Sequence, residues 1–98
     1  MTINTETNGT SVTLHLSGRL DTTTAPELEK AISAIPEDTT ELTLDMAEIA
    51  YISSAGLRVL LGAQKKMNAL GSMKVTGVCE EVREVLEITG FAEILTIV

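Results

Sequence analysis

Two adjacent serines, Ser53 and Ser54, stand immediately before a helical pattern, where a hydroxyl group can do chemistry. A serine at a helix start can accept a hydrogen bond from an unpaired backbone N–H group, which stabilises the helix by ~1 kcal/mol. One cap needs only one serine, so the second hydroxyl is available for modification. A helix N-terminus favours negative charge, so it would tolerate a phosphate on Ser54, which adds about 1.5 to 2 negative charges at one surface point. This is the chemistry of a switch that changes what docks on a surface.

The first turn of the same helix contains a glycine, Gly56. Glycine inside a helix is less favourable than alanine by ~1 kcal/mol, so this position gains nothing from glycine as a helix former. Without a β-carbon, however, it lets another backbone or a bulky group approach closely. We therefore expect close contacts at the start of this helix.

Two elements must position the serines. Alternating apolar and polar residues predict a strand over residues 42–46, and residues 47–50 are predicted to be a connector that leads to Tyr51 and Ile52. Downstream, the apolar spacing predicts a helix that lies on a sheet. Its apolar face is predicted to consist of Leu57, Val59, Leu60, Leu61, Ala63, Met67 and Leu70.

The chain before this unit begins with a predicted hairpin. Residues 2–7 are predicted to be a short edge strand, Asn8-Gly9 is a two-residue turn signal, and residues 11–17 alternate as a half-buried strand. His15 falls on the polar side of that strand, so we expect an exposed histidine. No second histidine is available to build a metal site with it.

The remaining elements continue an alternation of strands and helices. Thr24 and Glu27 have the spacing of a capping box, with Pro26 in the first helical turn and Pro36 ending the helix. The elements predicted beyond the central helix are a glycine cap at Gly71, a strand around Met73 and Val75, a helix opened by Glu80 and ended by Gly90, and a final strand over residues 94–98. Cys79 is interpreted as a small buried hydrophobe at a strand end.

This order predicts an α/β fold formed by a single domain over residues 1–98. Alternating strands and helices imply a mixed, mostly parallel sheet of four to five strands, with an N-terminal β-hairpin and about three flanking helices. The chain has 98 residues, 44% of them hydrophobic, and its only aromatic residues are Tyr51 and Phe91. The core is therefore expected to be aliphatic.

Charge and motifs exclude several classes of function. The net charge is −7 and the basic residues are scattered, so a direct nucleic-acid partner is not expected. No apolar run approaches the ~20 residues that cross a bilayer, and the N-terminal stretch lacks the features of a signal peptide. A single cysteine is consistent with the reducing cytoplasm. No phosphate-binding glycine loop, cysteine–histidine cluster or catalytic triad is evident, so we expect no enzyme activity, no catalytic residues, no metal and no cofactor.

The segment DMAEIAYISSAGLRVLL, residues 45–61, resembles the signature of the anti-sigma-factor antagonists, which are single STAS domains of bacteria. The resemblance extends to GRLDTTTAPELEKAI, residues 18–32, and to the C-terminal helix and strand. In that family, a partner kinase phosphorylates the serine two residues before the glycine, which is Ser54 in this chain. Ser53 stands where many members have aspartate and remains the second candidate acceptor, and Ala55 stands where many have serine or threonine.

The resemblance implies a partner-switching regulator. The unphosphorylated form would bind an anti-sigma factor that is also a serine kinase, and a sigma factor would be released. The kinase would supply ATP and Mg²⁺, and a PP2C-type phosphatase would reset the cycle. Arg58 is interpreted as a partner contact, as a neighbour of the phosphate or as a solvated arginine. The partner-binding surface is expected to include Asp21, Thr22, Ser53, Ser54, Ala55, Gly56, Leu57 and Arg58.

STAS domains also occur in other binding roles, which leaves an alternative function open. They resemble the small cytoplasmic subunits of lipid-transport ABC systems, the regulatory tails of anion transporters and subunits of stress-sensing complexes. In the two transporter-associated roles the serine helix would be a docking surface without phosphorylation.

Overall fold

A four-stranded sheet organises the computed structural model, which describes all residues from Met1 to Val98. The strands are β1 (Thr2–Asn8), β2 (Ser11–Leu20), β3 (Glu41–Ile52) and β4 (Ser72–Thr76), and they lie in this order across the sheet. β1 pairs with β2 antiparallel, whereas β2 with β3 and β3 with β4 are parallel. The predicted mixed, mostly parallel sheet with an N-terminal hairpin is confirmed.

Four helices connect and flank these strands: α1 (Ala25–Ser33), α2 (Ser54–Leu70), α3 (Glu80–Ile88) and the short α4 (Phe91–Ile94). Together with the sheet they enclose one core of 23 buried hydrophobic residues. Neither aromatic residue is fully buried, which confirms the predicted aliphatic core. None of the helices combines the length and apolarity needed to span a membrane.

The hairpin turn lies one residue later than the sequence predicted. Asn8 pairs with Ser11, so the two turn residues are Gly9 and Thr10. Gly9 has a φ of 63° and no residue other than glycine has a positive φ, which is the pattern of a type II′ turn. Such a turn needs glycine only at its first central position, so Asn8 is free to end the strand.

The predicted connector at residues 47–50 is wrong, because β3 continues without interruption to Ile52. The register against β2 shifts twice, between His15 and Ser17 and between Gly18 and Arg19, and each time β3 supplies one extra residue. These bulges disturb the alternation of side chains. In the second half of β3 every third residue is buried, at positions 46, 49 and 52, so the sequence no longer shows a period of two.

The predicted final strand over residues 94–98 is also wrong. Gly90, with a φ of 82°, leads into α4, which takes up residue 94. The segment that remains reaches the sheet through one parallel bridge between Val75 and Ile97. Hydrogen bonds from Val75 N to Thr96 O (2.8 Å) and from Val98 N to Val75 O (3.0 Å) hold it there.

Three predictions of side-chain burial are corrected, those for Leu61 and Leu70 on α2 and the one for Cys79. Leu61 is only partly buried and Leu70 is 37% exposed, while Gln64 takes a place on the buried face of α2. Gly71 does cap that helix, as predicted. Cys79 is half-buried and lies at the N-cap of α3, beyond the end of β4, with its Sγ 3.5 Å from the carbonyl oxygen of Ile49.

The polar face of the sheet carries a cluster that joins three strands. His15 on β2 places Nδ1 2.7 Å from Asp45 Oδ2 on β3 and Nε2 3.1 Å from Glu6 Oε1 on β1. The hydrogen bond to Asp45, followed by the one to Glu6, raises the pKa of His15 above 6.5. The bond to His15 in turn lowers the pKa of Asp45 below 3.8. The sequence predicted the polar side for His15 but missed both carboxylates, which come from other strands.

Protonated His15 is expected to tie the edge strand β1 to the sheet in a pH-dependent way. Because its folded pKa is raised, the stabilisation is fully present below the unfolded pKa of 6.5 and is lost as pH rises through the folded pKa. The difference in unfolding free energy between wild type and His15→Gln should therefore be larger at about pH 5 than at about pH 9. Urea unfolding across this range measures it, with Glu6→Gln as a variant that removes one partner. A difference independent of pH would contradict the expectation.

Candidate functional site

The two serines have different roles in the structure. Ser53 is the N-cap of α2, and its hydroxyl oxygen accepts a hydrogen bond from the Gly56 N–H group at 3.4 Å. Its own backbone N–H donates to Leu20 O at 2.9 Å, which joins the helix start to the end of β2. Ser54 is the first helical residue, is exposed and makes no side-chain hydrogen bond. Ser53 therefore serves the helix, and the Ser54 hydroxyl is free.

The loop between β2 and α1 lies beside the serines and is held by Asp21. Its Oδ1 accepts hydrogen bonds from the Thr23 hydroxyl (2.7 Å) and from the backbone N–H groups of Thr23 (3.0 Å) and Thr24 (3.1 Å). The Thr23 hydroxyl is the largest cause of a lowered pKa at Asp21. The carboxylate therefore stays ionised while it holds the turn.

The predicted capping box of Thr24 and Glu27 does not form. Thr24 lies at the N-cap of α1 but makes no side-chain cap hydrogen bond. Its hydroxyl instead donates to Arg19 O at 2.6 Å and accepts from Asp21 N at 2.9 Å. Asp21 competes successfully for this turn because aspartate side chains readily bond the backbone two residues further on.

The start of α2 and the start of α1 share one surface. A shallow pocket between them contains residues from both helices and from the preceding loop, so the structure brings together two segments that lie about thirty residues apart in sequence. The pocket is lined by Thr22, Ala25, Pro26, Glu29, Ala55, Arg58 and Val59. The exposed Ser54 begins the same helical turn that carries Ala55 to this pocket.

The family model described as STAS domain matches residues 2–98.

The chain belongs to the STAS domain family.

Relatives and solved structures agree with this assignment. The anti-sigma-B factor antagonist of Staphylococcus aureus (strain NCTC 8325 / PS 47) is 27% identical over 97 residues, which cover 97% of this chain and 90% of the relative. The crystal structure of an anti-sigma factor antagonist from Mycobacterium paratuberculosis matches with a TM-score of 0.88 at 25% identity, over 98% of this chain and 83% of that one. The Bacillus cell fate determinant SpoIIAA, solved in its phosphorylated form, shares the fold with a TM-score of 0.75 at 20% identity, over 99% of this chain and 91% of that one.

These findings confirm the predicted resemblance to the STAS domains. The segments at residues 18–32 and 45–61, which carried that resemblance, form the loop, strand end and helix start that surround the serines in this STAS domain. The structure contains no group of three histidine, cysteine, aspartate or glutamate residues that could hold a metal ion.

Two of the residues predicted for the partner surface, Gly56 and Leu57, are buried in the structure. A β-carbon at Gly56 would lie 2.7 Å from Leu20 Cγ and 2.9 Å from Ile52 Cγ1, so the predicted close approach at this glycine is confirmed. Leu57 is only 7% exposed and packs in the core. Both residues therefore position the first turn of α2 through their contacts inside the domain.

An exposed pair next to the serines, Arg19 and Tyr51, was not predicted from the sequence. They face each other across β2 and β3, with the Arg19 guanidinium carbon 4.2 Å from the centre of the Tyr51 ring. Arg19 Nε also lies 3.7 Å from Asp21 Oδ2. Tyr51 is 42% exposed because a bulge in β3 turns it out of the core. An aromatic residue two positions before the cap was the available signal, but its exposure depends on the bulge in β3, which the sequence does not show.

Proposed function

We propose that this STAS domain is an anti-sigma factor antagonist. With Ser54 unphosphorylated, it binds an anti-sigma factor that is also a serine kinase, and a sigma factor is thereby released. Phosphorylation of Ser54 ends that binding, and a PP2C-type phosphatase restores the active form. The observation that carries the proposal is the division between the serines, in which Ser53 caps α2 and leaves the Ser54 hydroxyl exposed and free.

The domain acts here as a binding protein and as the substrate of its partners. The kinase transfers the γ-phosphoryl group of its ATP, with Mg²⁺, to Ser54 Oγ, and ADP and the hydroxyl proton are released. The phosphatase hydrolyses the phosphoserine to serine and inorganic phosphate. No cofactor of the domain itself is needed, no nucleic acid is contacted, and the cycle takes place in the cytoplasm.

The surface around Ser54 supports partner binding. Thr22, Ala55 and Arg58 lie on one shallow pocket, and Asp21 holds the loop that supplies Thr22. With a net charge of −7, the domain favours a partner with basic patches. The name of the relative in Staphylococcus aureus, which is an anti-sigma-B factor antagonist, supports the same role.

The magnitude of the switch fits its chemistry. A phosphate adds about 1.5 to 2 negative charges near neutral pH. Placing an unpaired charge at a protein interface costs about 2–5 kcal/mol, which corresponds to roughly 30-fold to a few thousand-fold in affinity. Because Ser54 is exposed, the phosphate would not disturb the core, so the change would act on the interface alone.

The serine that accepts the phosphate can be identified with two matched variants of the domain. The kinase to use is the one whose gene lies nearest to the gene for this domain. Ser54→Ala is expected to accept no phosphate and to remain as stable as wild type. Ser53→Ala is expected to accept phosphate on Ser54 while losing ~1 kcal/mol of stability with its cap. Phosphopeptide mass spectrometry and urea unfolding measure the two effects. Full phosphorylation of the Ser54→Ala variant would contradict the assignment of Ser54 and would show that Ser53 or another residue accepts the phosphate.

The same mass spectrometry on protein isolated from its own cells decides between the proposed function and the transporter alternative. Occupancy of Ser54 that varies with growth conditions would support partner switching. Complete peptide coverage with no phosphate under any condition would contradict it and favour docking to a membrane transport complex.

A further inference from the structure

Arg58 is an unpaired cation one helical turn beyond Ser54. Residues four apart on a helix are neighbours on its surface, so the two side chains share one side of α2. Long helical side chains point back toward the N-terminus, which directs Arg58 toward the first turn. Its presence in the pocket beside Thr22 and Ala55 agrees with that direction. Arg58 is exposed and takes part in none of the ion pairs of the structure.

The other arginine near the serines is already engaged. Arg19 stacks on Tyr51 and lies 3.7 Å from Asp21 Oδ2. Glu29 shares the pocket with Arg58 but forms no ion pair with it. A new anion at the start of α2 would therefore find one arginine with its charge unused.

We propose that Arg58 binds the phosphate of phosphorylated Ser54 within the same helix. This inference rests on the proposed phosphorylation of Ser54. An acidic group four residues before a basic one is the favourable order for a helical ion pair. A guanidinium group also matches phosphate geometry and can donate two parallel hydrogen bonds to it. No movement of the backbone is required, because the side chain of Arg58 is exposed and long enough to adjust.

The pair gives phosphorylation a second effect on the partner surface. Before modification, Arg58 presents one positive charge beside Ser54. Afterwards, the phosphate both adds its own charge and occupies the arginine, so the local charge changes from about +1 to about −0.5 or −1. A partner that contacts this surface therefore loses its interaction with the positive charge of Arg58 and meets the negative charge of the phosphate instead.

The inference can be tested without any kinase. Phosphoserine is incorporated genetically at position 54 of the full chain, and the phosphate is titrated by ³¹P NMR at low salt. A neighbouring cation stabilises the dianion, so the phosphate pKa in the Arg58→Gln variant is expected to exceed that of the otherwise unchanged protein by about 0.3 unit or more. Arg58→Lys keeps the charge and is expected to retain part of the effect. Salt should reduce the difference, because the pair is exposed.

Arg83 supplies the matched control, since it is an exposed arginine on α3, outside the pocket beside Ser54. Arg83→Gln should leave the phosphate pKa unchanged. The inference is wrong if Arg58→Gln leaves the phosphate pKa unchanged. It is also wrong if Arg83→Gln raises the phosphate pKa as much as Arg58→Gln does. Because the phosphoserine is installed without a kinase, this outcome is separate from the proposed function, which fails instead if Ser54 accepts no phosphate from the kinase.

Discussion

Ser54→Asp is expected to weaken binding to the anti-sigma factor kinase by about 30-fold or more. The aspartate places a permanent negative charge on the partner-binding surface of this domain, where the unphosphorylated domain has a neutral hydroxyl. The same change should alter the free energy of unfolding by less than about 1 kcal/mol, because a helix N-terminus tolerates an anion. Isothermal titration calorimetry with the partner and urea unfolding of the free domain measure the two quantities.

Ser54→Asn is the control for this experiment. Asparagine has nearly the shape of aspartate without its charge, so it separates the electrostatic effect from the loss of the serine hydroxyl. We expect Ser54→Asn to bind close to the wild-type affinity. If Ser54→Asp unfolds the domain, or if both variants bind equally weakly, the charge-based switch at an otherwise undisturbed surface is wrong.

Gly56→Ala is expected to destabilise the domain by about 1–3 kcal/mol, the usual cost of adding a methyl group to a well-packed interior. The new β-carbon would meet Leu20 Cγ at 2.7 Å and Ile52 Cγ1 at 2.9 Å. Leu20 is completely buried and Ile52 is 4% exposed, so neither can move aside easily. Relief of the overlap would have to come from the helix itself, which would lift the first turn and Ser54 with it.

Gly62→Ala in the same helix is the matched control, because a β-carbon there meets no atom within 4 Å. It is exposed, and the better helix propensity of alanine should stabilise the domain by ~1 kcal/mol. Urea unfolding of the two variants therefore should give changes of opposite sign. Equal stabilisation by both would show that the contact between Gly56 and Leu20 relaxes freely and that Gly56 does not position the site.

Most of the secondary structure, and the start of α2 at the site, could be predicted from residues that lie close together in the sequence. The alternation of residues in β2 and in the first half of β3, and the apolar face of α2, depend on neighbours a few positions apart. The helix start at Ser53 is equally local, because a cap bonds an N–H group three residues further on. For the same reason the glycine in the first turn could be interpreted from its position alone.

Contacts between distant segments decided the rest. The second half of β3 became a strand because β2 offered partners that accommodate two bulges, and this exposed Tyr51 beside Arg19. The partners of His15 came from two other strands, 9 and 30 residues away along the chain.

The surface around Ser54 shows the same division most clearly. The sequence by itself determined that a serine pair opens a helix, and that one hydroxyl is more than the cap needs. Only the tertiary structure decided that the Ser54 hydroxyl is exposed, that Tyr51 lies outside the core and that Arg58 shares a pocket with the loop after β2. Local spacing specifies which backbone groups can pair, whereas the exposure of a side chain depends on what packs against it from elsewhere in the fold.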